Sequence, residues 1–132
     1  MILRMAELRE LIGLTFDSVT RDAKREELIF AGPRTFRMLH IQDCCESVTL
    51  DDVAGELEWL AGTPILEAYE ANDPEPEGFV HPDDSHTWTF YRIATVKGTV
   101  VLRWYGSSNG YYSERVEMIE EVEGEGVGID LD

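Results

Sequence analysis

The chain has 132 residues, 43% of them hydrophobic, and its 27 Asp and Glu outnumber 11 Lys and Arg for a formal charge of −16. That size suits one domain able to bury its own core without a metal or disulfide staple. Eleven scattered basic residues argue against nucleic-acid and anionic-membrane partners, and there is no apolar run of membrane-spanning length.

Residues 1–10 mix both charges every few positions, unlike a signal peptide, so a cytoplasmic protein is expected. The acidity has two readings. One is solubility and repulsion between copies; the other is an acidic inhibitor that mimics DNA and fills another protein's basic groove.

In chain order, Leu3, Leu8, Leu11 and Ile12 lie at helix-like spacings, which predicts a short amphipathic helix over 3–12 with Gly13 as its stop. Strands are predicted at Leu14–Thr20, Glu27–Ala31, Thr35–Ile41 and Ser47–Leu50, with Gly32-Pro33 as a turn. Asp51-Asp52 supplies cap chemistry for a second helix through Val53, Leu57 and Leu60, ending at Gly62, with Trp59 directed to the core. Residues 64–71 favour strand slightly. Residues 72–86, with three prolines and five acids, predict an exposed acidic loop. The expected fold class is α+β: mainly antiparallel β-sheet with a short N-terminal helix and one internal helix. The domain spans 1–120, and 121–132 is expected to be an acidic flexible tail.

Thr87–Val96 and Thr99–Tyr105 read as a β-hairpin around Lys97-Gly98, followed by a third strand over 111–119. Alternation puts Tyr91, Ile93, Thr95, Val100, Leu102 and Trp104 on a core face. Phe90, Arg92, Ala94, Val101, Arg103 and Tyr105 share the other. That pairing sets Arg92 directly opposite Arg103, a destabilising arrangement that calls for a negative partner. The partner is either a carboxylate of the chain, with Glu114 and Glu117 nearby, or an anionic ligand. Two guanidinium forks suit a phosphate or pyrophosphate. Phe90 and Tyr105 suit stacking on a base, and Asn109 suits a ribose. These five residues are the candidate ligand site. Exposed apolar residues on the third strand (Tyr111, Tyr112, Val116, Met118 and Ile119) predict a homo-oligomer.

Cys44 and Cys45 are adjacent, and on a strand their side chains diverge, so they are expected to be reduced and buried. The same divergence argues against zinc within His40, Asp43, Cys44, Cys45 and Glu46, where Asp43 and Glu46 read as turn or cap residues. A Cys-His nucleophile built with His40, His81 or His86 has no motif behind it. With no Walker loop, dinucleotide fingerprint or metalloprotease motif either, the chain is expected to be no enzyme and to need no metal or cofactor.

Four strings occur in order over about residues 10–118: His40-Ile41-Gln42-Asp43-Cys44-Cys45-Glu46, Gly62-Thr63-Pro64-Ile65, Thr87-Trp88-Thr89-Phe90-Tyr91, and Arg103 to Glu114 (RWYGSSNGYYSE). Together they resemble a small domain family of phages and bacterial genomes, akin to the type 1 Thoeris anti-defence proteins. The resemblance implies a sponge that binds cyclic ADP-ribose isomers made by TIR enzymes and does not cleave them. It also implies assembly from dimers into hexamers, with cyclic oligonucleotides held at separate sites by some members.

Overall fold

In the computed structural model, which describes residues 2–80 and 85–123, the alternating segments pair into two antiparallel sheets. The strands are β1 (Ile2–Ala6), β2 (Ser18–Asp22), β3 (Glu27–Ala31), β4 (Thr35–Leu39), β5 (Ser47–Ala54), β6 (Glu67–Ala71), β7 (Ser85–Thr95), β8 (Gly98–Ser108) and β9 (Glu117–Val122). The first sheet has the order β1-β9-β4-β3-β2 and the second β5-β8-β7-β6. One hydrophobic cluster joins them: Phe16, Phe30, Phe36 and Met38 on one side meet Leu50, Ile93, Leu102 and Trp104 on the other. Phe16 makes an edge contact with Phe36 at 6.0 Å and a tilted one with Phe30 at 5.5 Å. A fully buried side chain of this size stabilises the fold by about 1.5–3 kcal/mol relative to exposure.

The expected antiparallel β architecture is present, and the two helices are not: among the described residues the helical elements are two single 3-10 turns, Leu8–Leu11 and Leu57–Leu60. Residues 2–6 are instead β1, laid along β9 from Ile2↔Val122 to Ala6↔Met118. A few apolar residues at mixed spacing do not separate helix from strand, and the ladder offered by β9 decides the matter. Gly13 still takes a left-handed φ of 89° after the first 3-10 turn. The second predicted helix fails because β5 runs on to Ala54 against Val101 of β8. Gly55 then turns the chain at φ 103°, with its backbone so close to Trp59 that a Cβ would lie 2.9 Å from the indole ring.

Glu27–Ala31 forms the strand read from sequence. The strand expected at 14–20 narrows to β2, with Thr15 and Phe16 bridging to Pro64 and Ala61. The third hairpin strand is displaced: 109–116 is a connection, and β9 crosses to the first sheet as an interior strand between β1 and β4. Residues 121 and 122 therefore belong to an interior strand and not to a tail. The remainder of the predicted tail lies outside the described residues. Met118 and Ile119 are buried and Val116 packs on the core, which removes most of the apolar patch expected to be exposed.

Candidate functional site

The β7–β8 hairpin has the two faces read from sequence and a different register. Its turn is Val96-Lys97, with Thr95 paired to Gly98, so each partner is shifted by two residues. A two-residue shift keeps every side chain on its face, which is why Tyr91, Ile93, Thr95, Val100, Leu102 and Trp104 are all buried as expected. It does move the arginines. Arg92 lies opposite Val101 and Arg103 opposite Phe90, so the like-charge pair is diagonal and not directly opposed.

Each arginine also has a carboxylate of the chain, and in neither case is it Glu114 or Glu117. A bulge between Leu50 and Asp52 in β5 brings Asp51 to Arg103, with the closest N–O approach at 2.5 Å. Arg92 donates from Nη2 to both oxygens of Asp73, at 3.0 and 3.1 Å. Glu114 is buried elsewhere, accepting hydroxyl hydrogen bonds from Thr87 and Ser108 at 2.8 and 2.5 Å. Burial would raise its pKa, but these hydroxyls outweigh burial and hold it below the ordinary carboxylate range. Glu117 lies 3.9 Å from Arg115.

Around Arg103 the outer face of the second sheet is aromatic. Its guanidinium sits 5.4 Å from the Trp88 ring centroid, and Trp88 contacts Tyr105 at 4.7 Å. The chain after β6 then folds back over this patch. Asp73 reaches Arg92, Glu75 meets His86 Nε2 at 2.6 Å, and Phe79 packs edge-on against Trp88 at 5.0 Å and Tyr105 at 5.3 Å. The loop read as exposed is mostly exposed over its described residues 72–80, and over 73–79 it also forms a strap on its own sheet; its residues 81–84, including His81, lie outside the described residues. Beside the strap's base a cleft of about 530 Å³ opens, bounded by Asp73, Trp88, Tyr112 and Glu114. The Trp88 Nε1 is buried there and finds no acceptor among the described residues.

Of the predicted site residues, Arg92, Arg103 and Tyr105 lie together on this face. Phe90 shares it and is buried, so its ring is not free to stack on a ligand. Asn109 lies beyond the end of β8, its Oδ1 accepting from the backbone N–H of Tyr111 at 2.9 Å, and thus holds its own turn. Sequence reasoning missed Trp88, which alternation places with Phe90 and Arg92. It also missed Phe79, Asp51 and Asp73, whose roles depend on a loop and a bulge without local signal.

A second polar centre surrounds Glu46. Its carboxylate accepts from the backbone N–H groups of Asp43 and Cys44, both at 2.9 Å, and meets His40 Nε2 at 2.5 Å. Burial would raise the pKa of Glu46, but these hydrogen bonds outweigh it and hold it down to about 2. The turn role expected for Glu46 is present. The cysteine expectation is overturned: Cys44 and Cys45 are exposed in the loop 40–46 and joined by a disulfide. The loop wraps the Glu46 carboxylate instead of extending, so the alternation that would separate the two sulfurs does not apply.

Fold and site together define a small two-sheet antiparallel β domain with a strapped Arg-aromatic face. The chain belongs to the family described as a domain of unknown function, DUF7448, which matches residues 9–118. No curated protein and no solved structure matches it significantly. Among the described residues, no helix is long and apolar enough to cross a membrane.

Proposed function

We propose that this chain is a non-catalytic binding protein that holds a small anionic aromatic ligand, namely a cyclic nucleotide of the cyclic ADP-ribose type, on the outer face of the second sheet. The observation that carries the reading is the Arg103 guanidinium over Trp88 with Tyr105 alongside, one cation and two rings in a single patch. Phosphate pairing and base stacking require those two features, and sequestration requires no further chemistry. The strap already makes contacts of this kind, a carboxylate on Arg92 and a ring on Trp88 and Tyr105. A bound nucleotide exchanges with Asp51 or Asp73 at the arginines, and the adjoining cleft has the volume for it.

A homo-oligomer and a cytoplasmic site of action belong to the same reading. Support for the oligomer narrows to Tyr111, 83% exposed and stacked edge-on with Tyr112. A light-scattering mass near 15 kDa at micromolar concentration removes that part.

Calorimetric titration with a cyclic ADP-ribose isomer tests the binding. Removing the charge-assisted contact in Arg103→Ala lowers affinity about 10- to 150-fold, from roughly 1.5–3 kcal/mol. Trp88→Ala lowers it as well. Unchanged affinity in both variants, or no heat with wild type, overturns the proposal. Binding that instead requires a basic protein and collapses with salt supports the acidic-inhibitor reading.

A further inference from the structure

We propose that Cys44 and Cys45 form a two-sulfur site that, once reduced, chelates a single soft, thiophilic centre of the trivalent arsenical class. Both residues are exposed, and the bond joining them puts their sulfurs together on one side of the loop. The loop is held by groups other than sulfur. Glu46 accepts from the Asp43 and Cys44 amides, and Gln42 Nε2 donates to the carbonyls of Cys44 and Glu46 at 3.2 and 2.7 Å. Opening the disulfide leaves those bonds in place, so the two thiols stay adjacent on a fixed loop.

The neighbouring groups select the kind of centre. Zinc takes four ligands, and among the described residues no group of three or more His, Cys, Asp or Glu is placed to hold a metal ion; His40 Nε2 is committed to Glu46, with His40 Nδ1 2.6 Å from the Arg115 carbonyl. Two adjacent sulfurs suit a soft centre of low coordination number, which prefers thiolate to the hard carboxylate oxygen of the neighbouring Asp43.

In the reduction step, a thiolate of a dithiol reductant attacks one sulfur and displaces the other. The reductant's second thiol then closes its own disulfide. Two electrons and two protons pass to the protein, giving two thiols. Phenylarsine oxide then forms two As–S bonds, its oxygen leaving as water with the two thiol protons and arsenic staying trivalent. In a reducing compartment the dithiol is the resident form. None of the strap or patch residues takes part, so this site and the nucleotide proposal stand or fall separately.

The test is a titration of the full chain with phenylarsine oxide, read by intact mass, after reduction with dithiothreitol and desalting. One adduct per reduced chain is expected, none on the oxidised chain, and reversal by 2,3-dimercaptopropanol. In Cys44→Ser and Cys45→Ser, each with a wild-type melting temperature, competitor should strip the adduct at a concentration lower by roughly 100-fold or more, because the chelate is lost. Retention by the single variants equal to wild type overturns the proposal. So does a reduced wild type that titrates for two thiols yet forms no adduct, or one whose thiols become accessible only on unfolding.

Discussion

The outer faces of the two sheets carry the same chemical pair, an arginine against a carboxylate, in opposite settings. On the first, Arg37 in β4 holds Glu27 in β3 through three contacts of 2.8–3.1 Å, with side chains only 12% and 3% exposed. On the second, Arg103–Asp51 is 31% and 36% exposed and Arg92–Asp73 is 37% and 28% exposed. The first pair is removed from water, so losing one member strands a charge. The second pairs stay wet, and water can replace either member cheaply. Similar geometry thus serves structure on one face and leaves the other able to exchange partners. That difference favours the second face as the place to bind an anion.

Substitutions sharpen the contrast in descending order of effect. Arg37→Ala leaves Glu27 buried and uncompensated and should cost about 3–5 kcal/mol, read from urea unfolding. A loss below 1 kcal/mol would erase the distinction between the faces. Gly106→Ala puts a Cβ 2.8 Å from the Glu114 Cβ and 3.1 Å from its carbonyl, in the wall of the cleft. It should cost about 1–3 kcal/mol through overpacking, checked by thermal melting.

Acid tests the buried carboxylates. Glu46 titrates at about 2 in the folded chain against 4.5 for the ordinary group, and hydrogen bonds from Arg34 and then Arg4 lower Glu120 in the same direction. A folded pKa below the unfolded one contributes stability that is complete above about pH 4.5 and is lost as pH falls towards 2. Melting temperatures between pH 6 and 2 should fall through that window, and less steeply in Glu46→Gln. Equal slopes would mean that Glu46 is not tied to the fold. The smallest effect belongs to Arg103→Ala, which should change unligated stability by less than about 1 kcal/mol. Its ligand affinity should nonetheless fall as stated above, and a large stability loss would make Arg103 a structural residue like Arg37.

The sequence by itself determined what depends on near neighbours. Glu27–Ala31 is a strand, and the β7–β8 faces sort as alternation requires, because a period of two survives a register shift of two. The turn chemistry of Gly13 and Glu46 was legible for the same local reason. Only the tertiary structure decided the rest. Residues 2–6 became a strand because β9, more than a hundred residues away, supplies their ladder. The carboxylate facing Arg103 came from a bulge in β5, and the Phe79 ring and the acids over the patch came from the strap. Cys44 and Cys45 met because a buried carboxylate curls their loop. Hydrophobic periodicity records which face a residue takes along its own strand, but it carries no information about which distant strand, bulge or loop will be laid against that face.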